Sequence, residues 1–276
     1  MPELPEVETM CRGIAAIVGR RIARVREPKC DFRPISIEPS IRTINNHVAG
    51  ETIERITRLG KRVCIHTHDW ALILQPKMTG LVSLTDPPDD EHIRLEIEFE
   101  GAPDLRLLFW DRRGLGTVQA MPSSQIDARL IEGKLGPDAL QIECEEFCQR
   151  IRKTRRPIKV ALLDQKLIAG VGNLYASEIL HRAAVSPLKL ANKISLQRLD
   201  LIFECLREVL QTAIEHEGST LSDGTYRNAL NAPGDYQNEH LVYDREGEIC
   251  QSCRVGRIAR IVQAQRSTFY CPKCQR

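Results

Sequence analysis

The 276-residue chain has no uninterrupted apolar run near the ~18 residues that a membrane-spanning helix needs. Its start lacks the basic-then-apolar pattern of a secretory leader, so a soluble, cytoplasmic protein with no membrane partner is expected. It shows no internal repeat and no low-complexity tract, which excludes solenoids and compositionally biased tails. It also lacks a disulfide framework. Of its ten cysteines, Cys11, Cys30, Cys64, Cys144, Cys148 and Cys205 are scattered, and most suit small core positions in a reducing compartment. What is present is ordinary for a globular protein, 42% hydrophobic and 28% charged. The length is enough for a sizeable core and for two domains.

A strong net charge is absent too, at only +2, but the charge is uneven. Residues 150–193 hold ten Lys/Arg against two acidic residues, and residues 241–276 hold seven against three. Basic surfaces of this kind suit a polyanionic partner. Solvated helix faces would give the same count.

The remaining four cysteines are ordered. Cys250-Gln251-Ser252-Cys253 and Cys271-Pro272-Lys273-Cys274 are separated by seventeen residues. Each CxxC turn sets two thiolates on one side, and two such turns close a tetrahedral four-thiolate zinc site. With every ligand supplied by protein, one structural zinc is expected, with no position open to a catalytic water. Disulfide pairing is the other arrangement this spacing allows.

The opposite end reads Met1-Pro2-Glu3-Leu4-Pro5-Glu6-Val7-Glu8. Trimming of Met1 ahead of a small residue would free the Pro2 secondary amine. Such an amine attacks an aldehyde-level carbon and forms an iminium, the covalent strategy usually given to lysine. It titrates near pH ~8, well below a lysine. Glu3, Glu6 and Glu8 are candidate proton-transfer groups. The same residues also make a plain helix start, with proline and acids in the first turn.

Val7, Met10, Cys11, Ile14, Ile17 and Val18 recur at helical spacing, which predicts a helix over 3–18 closed by Gly19. From 21 to 120 the period shifts to two. Residues 62–67, 72–75, 81–84, 93–99 and 105–110 read as strands, with a turn at 86–90. So many short strands suggest an antiparallel β-sandwich. Beyond Pro122 the pattern is helical, clearest over 196–214 behind a Ser195 N-cap, with Phe203 on the apolar face. Residues 217–235 have no period and read as a long functional loop. The expected class is therefore α+β. Residues 1–122 form a sandwich with its N-terminal helix, 123–236 a helical domain, and 237–276 a zinc-finger β-hairpin.

Several stretches together resemble the formamidopyrimidine-DNA glycosylase (Fpg/Nei) family over the whole length. They are PELPEVET at the start, Lys61, Met78-Thr79-Gly80, Asp111-Arg112-Arg113, GVGNLYASE from Gly170, and AQRSTFYC from Ala264. The resemblance implies a bacterial, nucleoid-using, monomeric bifunctional DNA glycosylase/AP lyase of base excision repair. It would excise oxidised purines such as 8-oxoguanine and formamidopyrimidines from double-stranded DNA, through a Pro2 Schiff base and β,δ-elimination. It implies that Glu3 protonates the sugar ring oxygen and that Glu6 is an auxiliary carboxylate. Lys61 and Arg266 would serve the catalytic steps. His92, Lys153, Arg155 and Asn173 would hold DNA, the last on a helix–two-turn–helix domain. Met78, Arg113 and Leu115 would fill the space left by the flipped base, and the 217–235 loop would cap the lesion. Taken alone, Lys61 reads as a strand lysine and His92 as a solvated turn histidine.

The chain departs from the family at Gln75-Pro76-Lys77, where His-Leu-Gly is usual. It departs again at Gly114-Leu115, where a basic residue and Phe are usual, and at Thr154, where a lysine is. These changes bear on lesion preference and opposite-base choice, not on the nucleophile. An endonuclease VIII-like enzyme for oxidised pyrimidines and a non-catalytic lesion-binding protein are the alternative readings. Leu4 speaks against the first, and the intact Pro2, Glu3, Lys61 and Arg266 against the second.

Overall fold

The computed structural model describes residues 2–84, 87–219 and 234–276. The elements run α1 Leu4–Gly13, β1 Ile22–Arg26, β2 Ser36–Glu38, α2 Ile41–Val48, β3 Arg55–Leu59, β4 Arg62–His66, β5 Trp70–Gln75, β6 Gly80–Ser83, β7 Ile93–Phe99, β8 Ala102–Asp111 and β9 Thr117–Pro122. Then follow α3 Cys144–Arg152, α4 Ile158–Leu162, α5 Asn173–Arg182, α6 Leu196–Glu215, β10 Ala259–Gln263 and β11 Arg266–Tyr270. The chain is α+β and forms two compact units, residues 1–132 with 216–237, and residues 133–215 with 238–276. Among the described residues no helix is long and apolar enough to cross a membrane.

In the first unit, a four-stranded sheet (β1-β7-β8-β6) and a five-stranded sheet (β2-β9-β5-β4-β3) bury one shared core. Val63, Ile65, Leu72, Leu74, Val118 and Ala120 come from one sheet, and Ile22, Val25, Leu81, Leu95, Ile97 and Leu107 from the other. Fully burying each such Val, Leu or Ile contributes about 1.5–3 kcal/mol. Period-two alternation over 93–99 places Ile93, Leu95, Ile97 and Phe99 in that core. One pairing departs from the antiparallel rule: β2 lies parallel to β9, Ser36 opposite Thr117.

Helix α1 caps this core with Leu4, Val7, Met10 and Cys11 buried. The expected single helix over 3–18 is broken. Gly13 weakens its continuation, Ile14 leaves helical geometry at φ −98°, ψ 5°, and a 3-10 turn at Ala15–Ile17 keeps Ile17 on the core.

In the second unit, the Ser195 carbonyl accepts from the Arg198 and Leu199 N–H groups and starts α6. Leu199, Ile202, Cys205, Leu206, Val209, Leu210, Ala213 and Ile214 form its buried face. Phe203, expected on that face, is only half-buried and lies at its margin, 5.5 Å from the Phe147 ring. The zinc-bearing segment is tied down by Glu178 on α5, which is fully buried. Its carboxylate accepts from Leu241 N–H (2.9 Å), Val242 N–H (3.1 Å) and Tyr243 N–H (2.8 Å).

A buried donor left without its acceptor costs about 1–3 kcal/mol. Glu178→Ala is therefore expected to destabilise by about 3 kcal/mol or more in urea unfolding. Glu178→Gln, which keeps one acceptor oxygen, is expected to lose less. Losses below about 0.5 kcal/mol for both would show that the three bonds hold nothing, since that is the range of inert surface changes.

Candidate functional site

Pro2 and Glu3 are both buried at the start of α1. Glu3 is the N-cap and Glu6 the third helical residue, and the two form a reciprocal capping box. One Glu6 oxygen accepts from the Glu3 N–H at 2.8 Å, and the other accepts from the Ser219 N–H at 2.9 Å. Glu6 thus fixes the backbone of the residue beside Pro2 and the segment that enters the expected loop. Of that loop, residues 220–233 lie outside the described residues. A second carboxylate on the same helix, Glu8, accepts from Arg58 Nε at 2.9 Å, and Arg58 Nη1 donates to the Gly60 carbonyl at 3.0 Å. This ties α1 to the β3–β4 hairpin. Lys61, expected on a strand, is the second residue of its two-residue turn. Gly60 supplies the positive φ (58°) that the first position of such a turn requires.

Asp111 organises the end of the β6–β8 pair. It is fully buried and opposite Gly80 in register. Oδ1 accepts from the Thr79 hydroxyl and the Arg113 N–H, and Oδ2 from Leu115 N–H (2.8 Å) and Gly116 N–H (2.7 Å). The Arg113 N–H also reaches Thr79 Oγ1 at 3.0 Å. Met78, Arg113 and Leu115 are thereby displayed at one sheet end, the first two exposed and Leu115 half-buried. Two departures from the family pattern lie here. Lys77 adopts the left-handed region (φ 54°), a conformation glycine reaches without strain. Gly114 has φ 59°, and a Cβ there would stand 2.2 Å from the Arg33 carbonyl oxygen.

His92 is held firmly. Its Nδ1 lies 2.8 Å from Asp89 Oδ1, its ring stacks on Phe32 at 4.3 Å, and Trp110 meets its edge. Partial burial works to raise the Asp89 carboxyl, but donation from His92 and Trp110 outweighs it and holds the group below its usual range. The solvated turn histidine read from sequence is instead a braced ring.

In the second unit, Asn173 begins α5 behind the Gly170–Gly172 turn. Gln165 shapes that turn by accepting from the Gly170 N–H (2.9 Å) and donating to the Val171 carbonyl (2.8 Å). Asn173 Nδ2 donates to the Ser267 carbonyl at 3.0 Å. Lys159 Nζ donates to Asn173 Oδ1 (2.8 Å), Ser267 O (3.1 Å) and Thr268 Oγ1 (2.8 Å). These bonds bring Asn173 beside the hairpin strand that Arg266 begins. Ala264 and Gln265, both left-handed, make the hairpin's two-residue tip, and Arg266 is exposed next to it. Lys153 and Arg155 are exposed after α3.

Sequence reasoning missed Lys159, Gln165 and Glu178 as organisers. Lys159 was counted among the surface cations of the basic run, yet it is fully buried. Its apolar neighbours Ile158, Val160, Ala161 and Leu162 were the available signal.

Cys250, Cys253, Cys271 and Cys274 converge. Thiolates on a tetrahedral zinc with bonds of about 2.3 Å lie about 3.8 Å apart. Here Cys250–Cys274 is 3.6 Å and Cys253–Cys271 is 3.8 Å. N–H donation from Gly256 and Val255 pulls the Cys253 thiol down to about 6, while burial raises Cys271 and Cys274 beside it. A Cβ on Gly256 would stand 2.7 Å from Cys271 Sγ, so only glycine allows this approach. The four cysteines fit one structural zinc.

Residues 1–118 match the formamidopyrimidine-DNA glycosylase N-terminal domain, 135–225 its H2TH domain, and 247–276 the zinc finger found in FPG and IleRS. The formamidopyrimidine-DNA glycosylase of Solibacter usitatus is 36% identical over 281 residues, and that of Streptococcus mutans 34% over 283, each with full coverage of both chains. A point mutant of Lactococcus lactis Fpg in complex with Fapy-dG-containing DNA superposes with a TM-score of 0.87 at 32% identity over all of both chains. MutM in complex with carbocyclic 8-oxo-G-containing DNA gives 0.86 at 32%, again over all of both chains. Fold, zinc quartet and matched domains define a zinc-finger DNA glycosylase of DNA repair. The chain belongs to the formamidopyrimidine-DNA glycosylase family.

Structural zinc ties metal content to folding of the finger. Cys253→Ser is expected to lower bound zinc from about one ion per chain to well below that. Most of the β-sheet signal in circular dichroism, which comes from strands β1–β9 of the first unit, should remain. Absence of zinc from cleanly purified wild-type protein would overturn the assignment.

Proposed function

We propose that this enzyme excises oxidised purines from duplex DNA and then cleaves the abasic strand, with Pro2 as nucleophile. The observation that carries the reading is the Pro2-Glu3 start locked by Glu6, buried and fixed in direction. Relatives of the same fold hold Fapy-dG and 8-oxo-G DNA, which supports the lesion class.

The target base must leave the stack before C1′ can be reached. The lone pair of the Pro2 nitrogen then attacks C1′, and the bond from C1′ to the base breaks with its electrons leaving on the base. The departing base takes the proton of the alkylated Pro2 nitrogen, Glu3 donates a proton to the ring oxygen, the C1′–O4′ bond opens, and nitrogen and C1′ share an iminium. The iminium acidifies the C2′ proton. Its removal expels the 3′ phosphate, and a second elimination expels the 5′ phosphate. An activated water would stop after base loss, whereas an amine runs both steps at one site. Lys61, in the hairpin tied to α1, and His92, braced on Asp89, contribute cationic or hydrogen-bonding contacts to the phosphates. Asn173, Arg266, Lys153 and Arg155 grip the backbone, with α5 offering its N-terminus to an anion. Met78, Arg113 and Leu115 fill the vacated stack, offsetting the few kcal/mol of unstacking.

Borohydride added during turnover is expected to fix 8-oxoguanine DNA to the protein, and Pro2→Gly to abolish the adduct. Undiminished trapping in Pro2→Gly, with the adduct mapped to Lys61, would overturn the nucleophile. Arg113 offers two donors to an orphaned cytosine, so excision opposite cytosine is expected to be favoured. Leu115 forgoes aromatic stacking of about 1–3 kcal/mol per base, so Leu115→Phe is expected to sharpen that preference. An excision profile against the four opposite bases that is identical in wild type, Arg113→Ala and Leu115→Phe would remove the wedge from this face.

A further inference from the structure

Two of the scattered cysteines are not isolated. Cys144 and Cys148 stand one turn apart on α3, so both sulfurs leave the same face of that helix. Both point at a single oxygen of α6: Cys144 Sγ lies 3.4 Å and Cys148 Sγ 3.5 Å from Asp200 Oδ1. All three ligand atoms fall within 4.8 Å of one another. Glu204, one turn along α6 from Asp200, adds negative charge near the Cys144 thiol. The group opens on a cavity of about 540 Å3 that Leu196 and Arg152 help to line. Cys148 is buried, Cys144 half-buried and Asp200 exposed, so an ion entering from solvent meets all three.

The distances carry the argument. On a tetrahedral centre with bonds of about 2.3 Å to sulfur and about 2.0 Å to oxygen, the sulfur–oxygen edge is about 3.5 Å. Both measured edges match it. We propose that Cys144, Cys148 and Asp200 form a second metal site, separate from the zinc finger, for a thiophilic divalent cation of the zinc or cadmium class. Two sulfurs and one carboxylate leave a fourth position for water or Glu204. The site therefore has the three-ligand, open character that the finger lacks. Binding displaces the thiol protons and cross-links α3 to α6.

A redox role fits less well. Burial, and after it the hydrogen bond to Asp200, pushes the Cys148 thiol up to about 12 and raises Cys144 for the same reasons. Protonated thiols are slow nucleophiles and slow to oxidise, and a bound metal must displace the same protons.

The test uses full-length protein with its finger zinc in place, titrated with Cd2+ or Co2+ under reducing conditions and then stripped of loose metal by gel filtration. A second equivalent is expected to be retained, with thiolate-to-cobalt charge-transfer absorption in the Co2+ form. Cys144→Ser and Asp200→Asn should each lose it while the first equivalent stays. Both changes are at accessible positions, so folding can be checked by circular dichroism, and the more buried Cys148→Ser serves as a third variant. Retention of a single equivalent at metal excess would overturn the proposal. So would a second equivalent that persists in Cys144→Ser and Asp200→Asn, or recovery of Cys144 and Cys148 as a disulfide in place of metal uptake.

Discussion

Buried carboxylates that gather main-chain N–H groups hold three loops of this protein: the chain start, the end of the β6–β8 pair and the segment leading into the zinc finger. Taking a carboxylate out of water is costly unless hydrogen bonds replace the lost solvent. Bonds from amides to a charged oxygen are short and strong. Glu6 collects the amides of Glu3 and Ser219, Asp111 those of Arg113, Leu115 and Gly116, and Glu178 those of Leu241, Val242 and Tyr243. In each case the ligands are loop amides that neither a helix nor a sheet would satisfy. The carboxylate takes the place of regular secondary structure where regular structure would bury or misdirect the functional side chains.

This arrangement divides the residues into those that face solvent and those that set their direction. Met78 and Arg113 are exposed because Thr79 and Asp111 beneath them are not. Arg266 is exposed at a tip whose neighbouring carbonyl is gripped by Asn173 and Lys159. Precision at a surface residue is inherited from a buried partner, since loops without such partners drift.

The same division explains what could be read from the chain. Local patterns are legible. The apolar face of Ile93–Phe99, the stripe of Leu196–Glu215 and the two CxxC turns depend on neighbours in sequence, and each appears in the structure, although Arg94 and Glu96 on the other face of the strand are buried too. The zinc quartet was legible because its four ligands come in two local pairs. Long-range acceptors are not legible in this way. Glu178 meets amides more than sixty residues away, and Lys159 meets Thr268 across more than a hundred. No periodicity encodes either bond. Lys159 was misassigned to the surface because charge counting ignores burial. Likewise the parallel pairing of Ser36–Glu38 with Thr117–Gln119 joins two short segments whose own residues carry no sign of direction.

Gly114 limits what its loop can become. It turns through a left-handed backbone pressed against the Arg33 carbonyl. No side chain can be placed there while residue 33 stays in place. Any larger residue at 114 requires the β1–β2 connection around Arg33 to move. Substitution on this loop is therefore channelled toward the neighbouring positions that remain accessible, Arg113 and Leu115.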